Sequence, residues 1–480
     1  MLSVWAQDEM AAATLEDKRL NERLTRIVSD LGDRSTASIP AACGGHAEMT
    51  AAYRFFDNDK VTWENILEPH FEQTRRRIAG QEAVLFVQDT SEIDVTRPHA
   101  QVVGAGPLDG SARLGALLHL LEVFTPDGTP LGGAWCDIWT RDAPSTSKSK
   151  QDKRQQRKAT PIEKKESYRW LQGLRQARDV AQDLPGVTCV CVGDSEADIY
   201  ELFDEPRGDQ NPVHLLVRAG HDRALLQKSG GSGRRIGDAL LAEPILFTQA
   251  ISVRGRKAKV SCETRGRRQP RENRATEVEV RAAPVTLRPP WRPDRRLSPV
   301  TVHVVSVREI DPPADDAPVE WILVTTLPIG DAADVRKVIQ YYTVRWMIEV
   351  LFRTLKSGCR VEQRRFEHMD RLLPCLAVYL IIAWRTLFVC RLGRNCPDID
   401  CEAVFEPSEW KPVWTAIHRK SPPRTPPRLA RMVRLIAQLG GYVNRPNRDD
   451  PPGPQTVWLG LQRMRDLAWA WDVFGPGADQ

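Results

Sequence analysis

The stretch AVLFVQDTSEIDV, residues 83–95, decides the fold class predicted for this chain. Five apolar residues in a row, Ala83 to Val87, precede a polar segment that contains Asp89. An unbroken apolar run of this length is typical of a strand that is buried on both faces, as in α/β proteins. We therefore predict a buried strand that carries Asp89 at its C-terminal end.

The segments that follow predict a mixed α/β sheet. Residues 117–142 contain two strand-like runs on either side of a Pro-Asp-Gly turn at 126–128, where glycine supplies a positive φ. A helical pattern spans 166–184, and GVTCVCVGD (186–194) is a second short apolar strand that ends at an acid. Strand, hairpin, helix and strand in this order indicate a mixed sheet flanked by helices.

The two ends of the chain are predicted to be helical. An amphipathic pattern spans 15–33, and residues 1–75 are interpreted as a helical N-terminal domain. The core is predicted to span 76–390, with a β-rich insertion at about 205–325, where Arg, Gly and Pro are frequent and short alternating runs occur. Helical patterns in 391–480 indicate a helical C-terminal domain.

One apolar run raises the question of a membrane span. The run at 372–384 is short of the roughly 20 residues that a bilayer span needs, so a buried helix is the better interpretation. The N-terminus has early acids and no apolar segment, which is unlike a signal peptide. The ten cysteines form no repeated C-x-x-C pattern, which favours a reduced cytosolic protein without a structural zinc site.

The positions of the charged residues along the chain are more informative than the net charge. The net charge is only +5, from 68 Lys and Arg against 63 Asp and Glu, and by itself it does not establish a polyanionic partner. Basic stretches lie at 148–158, 254–259, 265–274 and 288–296. They are consistent either with a phosphate-binding surface or with separate solvated loops.

Two acids follow apolar runs. Asp89 and Asp194 are both placed where a predicted strand ends, and chemistry in α/β sheets gathers at that edge. The alternative for either residue is a turn or helix-cap role, which is common for aspartate after a strand.

A third acid lies in YYTVRWMIEVLFRTLKSG, residues 341–358, which is predicted to be one continuous helix. At ~100° per residue, Tyr342, Arg345, Glu349 and Lys356 fall within an arc of roughly 60° on an otherwise apolar helix. This stripe is predicted to face a charged cavity. The alternative is a salt bridge between Arg345 and Glu349 on an amphipathic surface helix.

The three acids suit metal-dependent chemistry if they meet. Carboxylates packed together repel unless cations neutralise them, and oxygen ligands favour Mg²⁺ or Mn²⁺. Two such ions support phosphoryl transfer. Tyr342, Arg345 and Lys356 would then hold the phosphates of a nucleic acid.

The spacing Y-x2-R-x3-E-x6-K resembles the YREK signature of bacterial insertion-sequence DDE transposases. It is most similar to their hairpin-forming cut-and-paste branch, which includes the transposase of the kanamycin-resistance composite transposon. VQDTSEID (87–94) and VGDSEADIYE (192–201) resemble the first and second catalytic blocks. The resemblance extends to AAYRFFDND (51–59) near the N-terminus and to 439–461 near the C-terminus.

The resemblance implies a ribonuclease-H-like catalytic core with a β insertion between the second Asp and the Glu. It implies that Asp89, Asp194 and Glu349 are catalytic and bind two Mg²⁺ ions, for which Mn²⁺ substitutes. The implied reaction is cleavage at the transposon ends, formation and opening of a DNA hairpin, and strand transfer of the 3′-hydroxyl into target DNA.

The resemblance also implies DNA-binding roles. Tyr342, Arg345 and Lys356 would contact phosphates, and Trp321 would stack on a flipped base. A Trp that packs at the start of a strand is a common alternative and is compatible with this role. The N-terminal domain would bind transposon ends, with three arginines as candidates: Arg19, Arg23 and Arg54.

The implied partners are double-stranded DNA, as terminal inverted repeats and as target, and a second copy of the chain. The homodimer would form in the DNA complex through the C-terminal domain, in the bacterial cytoplasm and at the nucleoid, with no membrane. Two alternatives stay open: a metal-dependent DNA nuclease without strand transfer, and an inactive DNA-binding inhibitor of transposition.

Overall fold

The computed structural model of the chain describes residues 2–110, 112–142, 160–208, 211–226, 234–253, 272–314, 318–443 and 451–475. The basic stretches 148–158 and 254–259, and residues 265–271, lie outside these ranges. The chain divides into two compact units. Unit 1 combines Met1–Ser147 with Trp346–Gln480, and unit 2 is Lys148–Arg345.

Unit 1 begins with five helices and four strands. These are α1 (Val4–Glu9), α2 (Lys18–Asp33), α3 (Ile39–Ala42), α4 (His46–Phe56), α5 (Trp63–Ile78), β1 (Ala83–Asp94), β2 (Gly106–Pro107), β3 (Leu114–Phe124) and β4 (Pro130–Trp139). The Asp17 side chain accepts the Arg19 N–H at 2.9 Å at the start of α2. Thr62 and Asn65 form a capping box at the start of α5. The predicted N-terminal helices are confirmed.

The predicted strand and hairpin are also present. Strand β3 pairs antiparallel with both β1 and β4. The turn between β3 and β4 holds Gly128 at a φ of +84°, a conformation that glycine adopts without steric cost. Strand β1 does not end at Asp89, as the sequence predicted, because its pairing with β3 continues as far as Asp94, opposite Gly115.

Unit 2 contains a mixed sheet with helices. Its elements are α6 (Tyr168–Gln182), β5 (Thr188–Gly193), α7 (Tyr200–Asp204), β6 (His214–Arg218), α8 (Ile236–Ala242), β7 (Phe247–Val253), β8 (Arg274–Leu287), β9 (Val300–Glu309), β10 (Glu320–Thr325) and α9 (Ala332–Val344). Strands β5 and β6 are parallel, and the other neighbours, in the order β6-β10-β9-β8-β7, are antiparallel. The predicted mixed α/β class is confirmed. The predicted β-rich region at about 205–325 contributes five strands, β6 to β10, to this sheet.

The chain then returns to unit 1 with five more helices. They are α10 (Trp346–Arg353), α11 (Met369–Asn395), α12 (Pro407–His418), α13 (Leu429–Leu439) and α14 (Pro454–Phe474). Helix α11 is long and apolar enough to cross a membrane by composition, but 83% of its most apolar window is buried inside the fold. It packs against α5 and β4, and Trp384 Nε1 donates to the Pro130 carbonyl at 3.2 Å. The predicted buried helix is therefore observed.

The helix predicted over 341–358 is not continuous. Helix α9 ends at Val344, and the N–H of Arg345 donates to the Tyr342 carbonyl, three residues back, before α10 begins. After Arg353 the chain forms a π-helical turn, Thr354–Gly358. The Thr354 hydroxyl donates to the Val350 carbonyl at 2.9 Å. This side-chain hydrogen bond competes with the regular backbone hydrogen bonds of the helix. The constant rotation of ~100° per residue behind the predicted polar stripe therefore does not hold along the whole stretch.

Candidate functional site

Burial decreases along β1 at Asp89, the first of the three predicted catalytic acids. The six residues from Ala83 to Gln88 are buried, whereas the next four are only half-buried. Asp89 is the first of these four, opposite Leu120, and its Oδ1 accepts the N–H of Thr90 at 2.8 Å. The apolar half of β1 thus anchors a carboxylate that solvent reaches.

The third predicted acid lies on the helix that packs against this strand. Glu349 belongs to the first turn of α10, and α10 contacts β1 within unit 1. Ile348 and Leu351 on the same helix are fully buried, whereas Glu349 is exposed. The apolar residues of α10 hold the helix against the fold and leave the Glu349 carboxylate accessible.

Lys356 lies in the π-helical turn of unit 1, among acids. Burial lowers its pKa, while the nearby carboxylates of Glu362, Glu92 and Asp94 raise it and the charge of Arg113 lowers it further. Lys356 is half-buried and close to three anionic side chains. Lys356 is therefore a partly desolvated cation whose surroundings are mainly acidic.

The three acids around Lys356, namely Glu92, Asp94 and Glu362, were not predicted from the sequence to belong to the site. Arg113 donates to Glu92 Oε2 at 2.6 Å and lies 3.6 Å from Asp94 Oδ2. Glu362 Oε1 accepts the N–H of Asp94 at 3.1 Å. Glu92 and Asp94 stand in the same DTSEID string as Asp89, so their sequence positions were a usable signal. No sequence signal identified Glu362, because 268 residues separate it from Asp94.

The second predicted acid lies in unit 2, directly after β5. Asp194 follows Gly193, is half-buried, and caps the short turn Ser195–Ala197 by accepting the N–H of Glu196 at 2.7 Å. The alternative interpretation of Asp194 as a cap residue is therefore confirmed. A capping carboxylate keeps lone pairs for other ligands.

Four of the side chains around Asp194 form one cluster in unit 2. The rings of Trp321 and Tyr342 meet edge to face with 5.9 Å between centroids. Burial raises the pKa of Tyr342, the charges of Arg345 and Arg218 lower it, and the charge of Asp194 raises it. The Tyr342 hydroxyl is buried and makes no hydrogen bond of normal geometry to the described residues. The structure thus places Asp194, Arg345 and Trp321 around Tyr342.

Arg218 is the member of this cluster that sequence reasoning missed. It ends β6, the strand that runs parallel to β5, so it emerges at the same edge as Asp194. Its Nη2 lies 3.4 Å from the Ser195 hydroxyl oxygen, to which it donates. An Arg at the end of the next strand was visible in the sequence, but the pairing of β5 with β6 was not.

The predicted metal ligands are split between the units. Asp89 and Glu349 belong to unit 1, and Asp194 belongs to unit 2. Within the described ranges, no group of three or more His, Cys, Asp or Glu side chains lies close enough to hold a metal ion. The donor chemistry nevertheless fits, because all three are carboxylates that solvent reaches. Their role as ligands stays a prediction.

Comparison with known protein families identifies three segments in succession. Residues 3–61 match the family model for transposase DNA-binding domains, 151–374 the transposase DDE domain, and 381–470 the transposase Tn5 dimerisation domain. The chain therefore carries transposase-type DNA-binding, DDE and dimerisation domains. Asp194 and Glu349 lie within the DDE match, whereas Asp89 lies between the first two matched segments.

A solved structure described as the piggyBac transposase synaptic complex with hairpin DNA also resembles this chain. The sequence identity is 8% and the TM-score is 0.35, over 82% of this chain and 68% of that one.

Proposed function

We propose that this chain, which carries the DNA-binding, DDE and dimerisation domains of transposases, catalyses cut-and-paste transposition of an insertion sequence in the bacterial cytoplasm, at the nucleoid. The observation that carries the proposal is the succession of these three domains along one chain. The catalytic domain would be a ribonuclease-H-like core, and the mixed sheet of unit 2 supports this assignment.

The proposed chemistry is a series of phosphoryl transfers. Water attacks a phosphodiester at the transposon end and leaves a 3′-hydroxyl and a 5′-phosphate. The 3′-hydroxyl then attacks the opposite strand, expels the 3′-oxygen of the flanking DNA and closes a hairpin. A second water attacks the hairpin phosphodiester and releases the 3′-hydroxyl again. The same 3′-hydroxyl then attacks a phosphodiester of target DNA and expels a 3′-oxygen of the target strand.

Three carboxylates would hold the metal ions that this chemistry needs. Asp89, Asp194 and Glu349 would bind two Mg²⁺ ions, which would activate the attacking hydroxyl and stabilise the leaving oxygen. Mn²⁺, with a similar preference for oxygen ligands, would substitute. Solvent reaches each carboxylate, so none needs an unfolding step before it binds a cation.

Cations and aromatic rings next to Asp194 would position DNA. Arg345 is buried, and the charge of Arg218 acts on the same Tyr342 hydroxyl, so a phosphate at this place would meet two guanidinium groups. The ring of Trp321 is half-buried beside Tyr342, which supports the stacking role proposed for a base flipped out of the hairpin. Lys356 would contact a further phosphate.

The terminal domains would bind transposon ends and a second protomer. Arg23 and Arg54 of the N-terminal helices are candidates for phosphate contacts, whereas Arg19 already pairs with Asp17 at 3.1 Å. The last helix, α14, leaves Trp469 67% exposed and Phe474 79% exposed. Trp469 lies within the segment that matches a dimerisation domain and Phe474 lies four residues beyond it, and exposed aromatic residues at this place support a homodimer in the DNA complex.

The test uses purified protein, Mg²⁺ or Mn²⁺, and DNA that carries the inverted repeats flanking the coding region. We expect Asp89→Ala, Asp194→Ala and Glu349→Ala each to bind this DNA and to lose cutting. Asp183→Ala, which changes an exposed aspartate after α6, is the matched control and should cut normally. Cutting that survives the three changes would contradict the proposal.

A second readout separates transposition from simple hydrolysis. Labelled 3′-hydroxyl ends should become joined to a second, unlabelled duplex. Cut ends that are never joined would indicate a nuclease, and binding without cutting in either metal would indicate an inhibitor.

A further inference from the structure

The connection between β8 and β9 exposes a tryptophan among arginines. Residues 288–299, RPPWRPDRRLSP, join Leu287 to Val300 in unit 2. Trp291 in this loop is 82% exposed, the highest value for a large apolar side chain among the described residues. This loop has no role in the proposed catalytic chemistry.

The loop is anchored at both ends rather than loosely attached. The Tyr200 hydroxyl of α7 lies 2.8 Å from the Ser298 carbonyl and 3.2 Å from the Leu287 carbonyl, so its one proton is shared between acceptors at the two ends of the loop. The Ser298 N–H donates to Asp204 Oδ1, also on α7, at 2.9 Å. One short helix thus clamps the two ends of the connection.

The middle of the loop is anchored through two of its arginines. Arg292 donates to both carboxylate oxygens of Glu201, at 2.6 and 3.2 Å, and Arg295 donates to Glu163 Oε1 at 2.6 Å. Glu201 is only 5% exposed. A bidentate pair with a buried carboxylate sets the position of the backbone on either side of Arg292.

Four prolines stiffen the same segment, at 289, 290, 293 and 299. Because each proline fixes φ, the chain has little freedom to fold back and cover the Trp291 ring. A large aromatic side chain is therefore held in water by a preorganised loop. A loop that is already held in one conformation loses little conformational entropy when it binds a partner.

Charge identifies the class of partner. Arg288 and Arg296, on either side of Trp291, are exposed, and neither forms an ion pair with a side chain in the part of the chain that the structure describes. Two exposed cations that flank an exposed aromatic ring complement the phosphates and the groove of a nucleic acid.

The loop is separate from the cluster around Asp194. Val300, next to the loop, and Val307, which pairs with Trp321, are seven residues apart on β9, a distance of about 23 Å along a strand. A DNA segment bound by the loop would therefore lie well away from the reacting phosphate.

We propose that the loop 288–299 is a second DNA-binding surface, on which Arg288 and Arg296 contact phosphates of a duplex and Trp291 packs into its minor groove. The inference rests on the proposed function in one respect only, namely that the ligand is DNA. In this proposal Arg288, Trp291 and Arg296 bind DNA whether or not a metal ion is present and whether or not the DNA is cut.

The experiment measures binding of the full chain to a fluorescein-labelled 40-bp duplex at several salt concentrations, without divalent metal. Arg288→Ala with Arg296→Ala should reduce the slope of log K against log salt by about two, since each phosphate contact contributes roughly 0.9. Trp291→Ala should weaken binding roughly tenfold with the slope unchanged, and Trp291→Phe should restore most of the affinity.

Leu241→Ala is the matched control, because Leu241 is 64% exposed on α8 of the same unit. An unchanged slope in the double variant, an unchanged affinity in Trp291→Ala, or an equal loss in Leu241→Ala would overturn the proposal. Normal DNA binding with altered self-association would assign the loop to protein contact instead and would also overturn it. Failure of the unaltered chain to bind any DNA would contradict the proposed function itself.

Discussion

The Trp321 ring meets the Tyr342 ring at 60°, with 5.9 Å between the two centroids. The two residues are 21 positions apart and belong to β10 and α9 of unit 2. This edge-to-face pair is bordered by Asp194, Arg218 and Arg345, whose charges all act on the Tyr342 hydroxyl. An aromatic surface therefore adjoins both a predicted catalytic acid and two cations.

Replacement of Trp321 tests the proposed role of this pair in hairpin formation. We expect Trp321→Ala to nick the transposon end normally but to form the hairpin about tenfold or more slowly, because base stacking on an aromatic ring contributes roughly 1–3 kcal/mol. Trp321→Phe should recover most of the rate. Denaturing gels of a labelled end would separate nick from hairpin, and an equal loss of both steps would exclude a role limited to the hairpin.

Lys356 and Arg353 offer a matched pair of cations within four residues of each other. Lys356→Met should weaken binding to end DNA and reduce the salt slope by about one, since one phosphate contact is lost. Arg353, which is exposed on α10 and has no proposed role, should tolerate the same change to Met. Fluorescence anisotropy across a salt series measures both variants, and equal losses would mean that Lys356 has no specific contact.

Disruption of a buried charge cluster in unit 1 is expected to cause a large loss of thermal stability. Glu9 Oε1 lies 2.5 Å from His70 Nδ1, Arg77 donates to both Glu9 oxygens, and the Gly133 N–H donates to His70 Nε2. His70 is therefore neutral, with its proton on Nδ1. Glu9→Gln should destabilise the fold by about 3–5 kcal/mol, because it leaves the Arg77 cation without its anionic partner.

The control for this change is an exposed ion pair. Lys18 and Glu22 lie 3.8 Å apart on the surface of α2, so Glu22→Gln should cost less than about 1 kcal/mol. Burial raises the pKa of Glu9, but the hydrogen bonds from His70 and Arg77 and the positive charge of Arg77 outweigh it and lower the pKa to about 2. This contribution to stability is present above about pH 4.5 and is lost as the pH falls towards 2, and Glu9→Gln should abolish that acid dependence. Scanning fluorimetry measures both effects.

The contribution of the Asp33 carboxyl to stability is expected to depend on pH in the opposite direction. Burial raises its pKa to about 7, although Arg465 at 2.8 Å lowers it. The folded state thus binds the proton more tightly than the unfolded state, so this stabilisation is complete at acidic pH and is lost as the pH rises towards 7. Asp33→Asn should therefore raise Tm at pH 8 relative to the unaltered chain, and change it little or lower it at pH 5. A uniform fall at both pH values would show that Asp33 is ionised throughout.

Local patterns in the sequence predicted much of the architecture. The strand at 83–95, the hairpin with Gly128, and the strand that ends before Asp194 depend on hydrophobic runs and turn residues close together in the chain. The break at Arg345 and the π-helical turn after Arg353 were not predicted, because the apolar pattern of 341–358 is compatible with a straight helix.

The sequence by itself determined which residues carry the candidate chemistry: the acids Asp89, Asp194 and Glu349, and the order of the DNA-binding, DDE and dimerisation segments. Only the tertiary structure decided what surrounds them: Arg218 beside Asp194, Glu362 beside Lys356, and the exposed Trp291 loop clamped by Tyr200. The reason is physical. Hydrogen bonds within helices and turns join residues a few positions apart, whereas burial and ion pairing join residues whose separation in the chain carries no information about their distance.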